Sequence, residues 1–355
     1  MARYIKNTLY VMCMAVLIFA SSQVVDTPTA QALLISRENE IEIGQNLAKQ
    51  VEQKYGLVND PALQARVTQI GAKLAAVSDR ADMPYTFKVL NGKEINAFAA
   101  PGGPIYLFKG LIDAMPSDDE IAGIIGHELG HIVKKHTVVT MERNMAGQLI
   151  FSLLFGNKAQ MLQEVAFSAI MAGYSRGEEE EADSLGVIHT MRAGYNPYSS
   201  LLGMEKLQDL TPDSGGLAGD LFSDHPNTGA RITKISNQIA TDFKVRPSVT
   251  GQDKSAQVTD GVWNLPPVFS DYGGYKPLLR SYFTAGRIYR ISGLADYSAD
   301  KFYMSDSENG LTIYYRDASE PVAMITTNDA MGNNMSVNDM AVLTLARIRE
   351  WINRG

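Results

Sequence analysis

Apolar residues in the first two thirds of the chain recur mainly every three or four positions, the spacing of a helix that buries one face. Ile41, Leu47 and Val51 show this spacing in the first predicted helix, at 38–55. The same pattern predicts helices at 61–77, 117–135, 178–193, 197–209 and 226–242. Short alternating runs predict strands at 85–90, 96–99 and 105–108. This part is therefore expected to be mainly helical, with a small sheet.

The pattern changes after residue 246. Residues 247–261 are polar and rich in Gly, Ser and Asp, which predicts a linker. Beyond it, strand-like runs precede a predicted helix at 337–352; they lie at 285–292, 301–305, 311–316 and 321–326. We expect an α+β protein with a mainly helical domain at 33–246 and a small α+β accessory domain at 262–355.

Residues 145–173 are unusually apolar and fall into two blocks. Neither block reaches the roughly 20 residues that a helix needs to cross a bilayer. The pattern predicts buried helices or a helical hairpin, and contact with a membrane surface or a substrate is the alternative.

The N-terminus has the layout of a secretory signal. Arg3 and Lys6 precede an apolar run at 9–20, and Ala30 and Ala32 offer an A-x-A cleavage site. The run is too short for a membrane-spanning anchor. We expect residues 1–32 to be removed and the protein to be exported, with the periplasm as its location in a bacterium with two membranes.

Charge and cysteine content narrow the chemistry. The chain has 355 residues and a net charge of −7, with no Lys/Arg cluster of the kind that meets nucleic acid. Its single cysteine, Cys13, lies within the predicted signal peptide. The mature chain would then have neither a disulfide nor a thiol nucleophile.

The sharpest motif is H-E-L-G-H at 127–131. Residues four apart on a helix share one face, so His127 and His131 can reach one metal ion while Glu128 addresses a water molecule on it. A catalytic zinc site needs a third protein ligand. The acidic segment 175–183 is the candidate source, and a solvated acidic helix start is the alternative interpretation.

Together with other motifs, this sequence resembles gluzincin zinc metallopeptidases of the HtpX and CAAX prenyl protease type, and among them the exported BepA-like branch. The resemblance covers about residues 36–242 and implies a zincin-like fold. Its matching pieces occur in family order: N-A-F-A-A-P-G-G at 96–103, H-E-x-x-H at 127–131, Ser175-Arg176 followed by Glu179-x-x-Ala182-Asp183, G-Y-N-P at 194–197, and His225-Pro226 with Arg231.

The resemblance implies one Zn²⁺ per chain, held by His127, His131 and Glu179, with Asp183 behind a ligand. It also implies that Glu128 is the general base for a zinc-activated water molecule. His225 and Arg231 would act near the active site, by stabilising the tetrahedral intermediate or, for His225, by gating the metal.

An extended substrate would pair with the strand of Asn96, Ala97, Phe98 and Ala99. The implied function is an exported metalloendopeptidase that hydrolyses unfolded or misassembled envelope proteins. An ordinary helix start remains the alternative for His225, and His136 and His189 are predicted to be helix-end or packing residues.

Two other functions stay open. One is a periplasmic chaperone or assembly factor whose protease site is latent and closed by the loop at 209–225. The other is a binding protein with a structural metal, which Glu128 argues against. BepA-like members often have helical repeats after the peptidase, whereas 262–355 is non-repetitive. Partners beyond polypeptide substrates therefore stay open, as do the oligomeric state and peripheral contact with the membrane.

Overall fold

The computed structural model describes residues 35–143, 173–210, 228–316, 318 and 320–354. Residues Ile35–Gly355 form one compact unit. The predicted signal peptide and all but the last residue of the apolar stretch 145–173 lie outside the described residues. The predicted α+β fold is confirmed: a mainly helical part with a small sheet is followed by a small α+β part.

The first two helices begin as their sequences predict. Ser36 caps α1 (Arg37–Tyr55) by accepting a hydrogen bond from the backbone of Asn39. Asp60 caps α2 (Pro61–Ala76), where Pro61 occupies a position that needs no hydrogen-bond donor.

The first sheet has the order β1–β3–β2. Strand β1 (Thr86–Leu90) is parallel to β3 (Pro104–Phe108), and β2 (Ala97–Ala99) is antiparallel to it. All five residues of β3 are buried, as expected for the central strand. A short helix, α3 (Lys109–Ala114), leads from β3 to α4 (Asp118–Lys134).

Within the described residues, three further helices belong to the mainly helical part. They are α5 (Arg176–Arg192), α6 (Ser199–Leu210) and α7 (Thr228–Asn237), and the last continues as a π-helical turn, Gln238–Asp242. The predicted helices at 178–193, 197–209 and 226–242 correspond to these elements.

The segment predicted to be a linker forms an antiparallel hairpin. Strands β4 (Ser248–Gln252) and β5 (Ser255–Asp260) pair with each other, and β5 also pairs with β6 (Trp263–Asn264). Although the segment is polar, its burial alternates as in a strand, because Ala256 and Val258 are buried while their neighbours are partly exposed. The segment is therefore ordered, and the domain division at these residues stays a prediction.

The strand predicted at 285–292 is wrong, because these residues belong to α8 (Pro277–Ser292). Ala285, Ile288 and Ile291 are buried at intervals of three residues, which is a helical period. Residues 285–292 taken alone contain Ile and Tyr side chains, which favour strands. They do not include Pro277, which marks the start of the helix.

The remaining elements form the small α+β part. Strands β7 (Phe302–Ser307), β8 (Gly310–Tyr315) and β9 (Ala323–Thr326) form an antiparallel sheet in chain order, preceded by a 3₁₀ turn at Ala299–Lys301. Helices α9 (Thr327–Gly332) and α10 (Val337–Ile352) follow, so the strands predicted at 301–305, 311–316 and 321–326 and the final helix are confirmed.

The larger of two apolar clusters among the described residues extends through both parts of the fold. It includes Val67, Leu129 and Leu202 from the first part together with Ile288 and Ile348 from the last. Among the described residues, no helix combines the length and the apolar character that crossing a membrane requires.

Candidate metal centre

Helix α4 begins with a reciprocal cap. Ser117 Oγ accepts a hydrogen bond from the backbone of Asp119, while the Glu120 carboxylate accepts one from the backbone of Ser117 at 3.1 Å. These bonds satisfy donors that a helix start leaves free. Every residue of α4 from Asp119 to Ile132 is buried, so the helix runs through the core with its two histidines on one face.

Glycines allow α5 to lie against α4 at short range. A Cβ atom on Gly130 would lie 2.8 Å from the Cα of Ala182, and one on Gly186 would lie 3.2 Å from the backbone nitrogen of His127. Ser175 and Glu178 cap α5 reciprocally and fix where the helix starts. The close contact and the fixed start bring Glu179 to the two histidines.

His127, His131 and Glu179 converge on one point. The Nε2 atoms of the histidines are 3.1 Å apart, and the Glu179 oxygens lie 3.7 Å from His127 Nε2 and 3.6 Å from His131 Nε2. One ligand atom from each residue falls within 4.8 Å of the others. Two imidazoles and one carboxylate, all buried, fit a zinc site that keeps one position for water.

Asp183 lies behind His127, one helical turn after Glu179. Its Oδ1 is 2.9 Å from His127 Nδ1, and Arg231 donates two hydrogen bonds of 2.7 Å to its carboxylate. Burial would raise the pKa of Asp183, but the hydrogen bonds from Arg231 and His127 outweigh it and hold that pKa below its usual range. The ionised Asp183 fixes the His127 proton on Nδ1, so the Nε2 lone pair is the one that can bind a metal.

Arg231 joins the cluster from α7. Its Nη1 lies 2.7 Å from Glu179 Oε2 in addition to its bonds to Asp183, and its side chain is almost fully buried. Burial alone would lower the pKa of this guanidinium, but the hydrogen bond to Asp183 opposes burial and the pKa is raised. In this geometry, Arg231 orients the two carboxylates of the site.

Glu128 is buried beside the first histidine, and its charge acts on both Arg231 and Tyr174. The position suits a group that exchanges a proton next to the metal ligands. A carboxylate is otherwise rarely buried so completely.

His136 was not among the site residues predicted from the sequence. Its Nδ1 lies 2.9 Å from His131 Nδ1, and its Nε2 lies 3.2 Å from Glu181 Oε2. Helical spacing gives no signal for this contact, because residues five apart do not share a helix face. His189, in contrast, is fully buried on α5, in agreement with its predicted packing role.

The predicted substrate strand is β2. It pairs with β3 on one side and lies at the end of the described sheet. The backbones of Asn96, Phe98 and Ala100 face β3, as shown by the hydrogen bonds from Phe108 N to Asn96 O and from Ala100 N to Pro104 O. The backbone groups of Ala97 and Ala99 therefore point away from β3.

His225 lies outside the described residues, as do residues 211–227, which contain most of the predicted gating loop. The structure thus brings together His127, Glu128, His131, Glu179, Asp183 and Arg231 of the predicted site.

A buried H-E-x-x-H helix and a glutamate from a second helix are the features of a gluzincin-type metallopeptidase. A comparison with protein families agrees: residues 61–239 match peptidase family M48. The chain belongs to this family of zinc-dependent metallopeptidases, and the resemblance inferred from the sequence is confirmed.

Curated proteins with similar sequences include two beta-barrel assembly-enhancing proteases. The one from Yersinia pestis is 24% identical over 241 residues, 64% of this chain and 49% of the relative. The one from Escherichia coli (strain K12) is 25% identical over 226 residues, 60% of this chain and 46% of the relative. Metalloprotease YcaL of the same strain is 32% identical over 165 residues, 44% of this chain and 63% of the relative. The chain thus spans about half the length of the first two.

Proposed function

We propose that this protein is an exported zinc metalloendopeptidase that hydrolyses unfolded or misassembled envelope proteins. The observation that carries the proposal is the buried cluster of His127, His131 and Glu179, with Glu128 next to the first ligand. A structural metal site has no use for an additional buried carboxylate beside its ligands.

His127, His131 and Glu179 would hold the metal. When bound in such a site, Zn²⁺ lowers the pKa of a water molecule to about 7 and polarises a carbonyl group. Glu128 accepts the proton of the attacking water and delivers it to the leaving amine. Asp183 and Arg231 keep His127 and Glu179 oriented, and Arg231 and His225 would also stabilise the oxyanion.

The edge of β2 supports recognition of extended polypeptides. The backbone groups of Ala97 and Ala99 point away from β3, and an extended segment would add there by main-chain hydrogen bonds once this edge, where both residues are almost fully buried, is uncovered. Recognition of this kind depends little on side chains, so it suits a peptidase for unfolded proteins.

The substrate class and the location rest on other support. The names of two relatives specify enhancement of beta-barrel assembly, a process that takes place in an envelope. The predicted signal peptide at 1–32 supports export to the periplasm. We further propose residues 33–246 as the peptidase domain, 247–261 as its boundary, and 262–355 as an accessory domain.

The test is Glu128→Gln in the full chain, with unfolded casein as substrate. We expect the variant to keep the fold and bound zinc of the parent but to lose cleavage, because an amide cannot accept the proton. The matched control is Glu180→Gln, in a glutamate that pairs with Lys234 at the surface, and it should retain cleavage. Undiminished cleavage by a zinc-loaded Glu128→Gln protein would reject the mechanism.

A His225→Ala variant tests the gating role. If the loop containing His225 closes the site, the variant cleaves casein faster than the parent. If His225 stabilises the oxyanion instead, the variant cleaves more slowly with unchanged zinc content.

A further inference from the structure

The two histidines of the cluster differ in what holds the far side of each ring. Asp183 contacts Nδ1 of His127 directly, at 2.9 Å. Nδ1 of His131 instead contacts Nδ1 of His136 at 2.9 Å, and Nε2 of His136 reaches Glu181 at 3.2 Å. His131 is thus connected to a carboxylate through a second imidazole.

The direction of the hydrogen bonds that link His131, His136 and Glu181 follows from the groups at the two ends of this series. The Glu181 carboxylate only accepts, so the Nε2 of His136 carries a proton. If His131 binds the metal through Nε2, which faces the cluster, its Nδ1 must carry a proton and donate it to His136. His136 then accepts at Nδ1 and donates at Nε2.

The ring of His131 is also fixed in its plane. The ring of Tyr174 stacks on it with a centroid distance of 3.8 Å and an angle of 20°, and Tyr174 Oη lies 2.8 Å from Thr137 Oγ1. The stacked His131 ring therefore keeps its Nδ1 edge directed at His136.

The left-handed backbone conformation of Lys135 makes the contact between His131 and His136 possible. Lys135, which directly follows α4, has a φ of 60°. In an uninterrupted helix, a residue five positions after His131 would lie about 140° around the axis from it. The change of direction at Lys135 returns the chain so that His136 faces the side of the helix that holds the cluster.

We propose that His136, supported by Glu181, is a positioning residue for the metal. It holds His131 with Nε2 towards the cluster and makes that nitrogen a better ligand, as carboxylates behind metal-binding histidines do. The inference rests on the proposed function, since it takes His131 as a zinc ligand. It assigns separate roles to two glutamates of one acidic run, because Glu179 is a ligand and Glu181 supports one.

The test measures the zinc dissociation constant of the full chain by competition with a chromophoric chelator. His136→Leu removes the acceptor and should weaken binding by about 10- to 100-fold. His136→Asn can place an amide oxygen near the former Nδ1, and should bind within about threefold of the parent. Glu181→Gln keeps an acceptor for His136 but removes its negative charge, and should weaken binding by about threefold to tenfold.

The matched control is Glu180→Gln. Glu180 pairs with Lys234 on α7, so this variant should bind zinc as the parent does. Unfolding of each metal-free variant shows whether it is folded. If His136→Leu does not fold, the comparison of Glu181→Gln with Glu180→Gln decides.

Three outcomes overturn the inference: parental zinc affinity in a folded His136→Leu variant, equally weak binding by the Leu and Asn variants, or parental affinity in Glu181→Gln. A parent chain that binds no zinc would instead reject the proposed function itself. The two failures are therefore distinguishable.

Discussion

Arg290, on α8, contacts Asp119 in the first turn of α4, although 171 residues separate them in the chain. Arg290 Nη1 lies 3.0 Å from Asp119 Oδ1, and the same oxygen accepts a hydrogen bond from the backbone of Asn196. A second contact lies beside it, where the Tyr275 hydroxyl donates to Glu120 at 2.7 Å. The late part of the chain thus holds the start of the helix that carries both histidines.

We expect Arg290→Gln to lower the free energy of unfolding by about 2 kcal/mol, because it leaves the buried Asp119 carboxylate without its charged partner. The control is Arg316→Gln, whose partner Asp296 is 74% exposed. That change should cost at most about 1 kcal/mol. Urea unfolding of both variants measures the difference, and equal losses would contradict a special role for the Arg290 contact.

The stability of the protein should depend on pH through Glu120. Burial raises the pKa of this carboxyl from 4.5 to about 7, although hydrogen bonds from Tyr275 and Ser117 and the charge of Lys206 oppose the shift. Because the pKa of Glu120 is raised in the folded state, its contribution to stability is fully present below its pKa in the unfolded chain. This contribution is lost as the pH rises through 7. The loss amounts to about 3 kcal/mol.

Glu120→Gln mimics the neutral carboxyl and keeps the reciprocal cap with Ser117. Its free energy of unfolding should therefore fall less than that of the parent between pH 5 and pH 8. The exposed Glu308→Gln serves as the control. Parallel curves for Glu120→Gln and the parent would show that Glu120 does not titrate in this range.

The contact between α4 and α5 should not tolerate a methyl group at Gly130. Its Cβ would lie 2.8 Å from both the Cα and the carbonyl oxygen of Ala182, and we expect Gly130→Ala to cost about 1–3 kcal/mol or more. Since the two helices carry the ligands, zinc affinity should fall as well. Gly177→Ala, where a Cβ meets nothing within 4 Å, should be neutral or stabilising by up to about 1 kcal/mol. Thermal unfolding with zinc titration distinguishes the two.

Replacing Arg231 should strongly destabilise the metal-free protein. Arg231→Ala leaves two buried carboxylates, Asp183 and Glu179, without their cation, and we expect a loss of about 3–5 kcal/mol at neutral pH. The parent keeps the pKa of Asp183 low, so its stabilisation is present at neutral pH and lost only in strong acid.

In the variant, burial dominates and Asp183 gains a proton at higher pH, so the difference from the parent should shrink as the pH falls to about 4.5. Lys234→Ala, one turn later on the same helix, changes an exposed pair and provides the control. A loss from Arg231→Ala that does not vary with pH would contradict this account of Asp183.

The candidate site was largely predictable because its residues obey local rules. The spacing of His127 and His131 and the cap at Ser117 follow from helical geometry, whereas the choice of Glu179 and Asp183 within the acidic segment came from the resemblance to known peptidases. His136 escaped prediction because its contact depends on the left-handed conformation of Lys135. That conformation favours Gly and Asn, so a lysine gives no sign of it.

The differences between prediction and structure outside the site have a related cause. At 285–292, strand-forming side chains indicate a strand, but packing of Ile288 in the core selects a helix. The hairpin at β4 and β5 has few apolar residues and is ordered by packing against other elements. Tertiary contacts decided both segments, and a short window of sequence does not contain them.

The four consecutive glutamates that open α5 have four different partners. Glu178 caps the helix, Glu179 faces the histidines, Glu180 pairs with Lys234, and Glu181 reaches His136. Each step along a helix turns the side chain by about 100°. Deleting one glutamate would leave a nearly identical sequence, yet it would turn the start of the helix against the rest by one step. Four identical letters in this run therefore encode four positions that cannot replace one another.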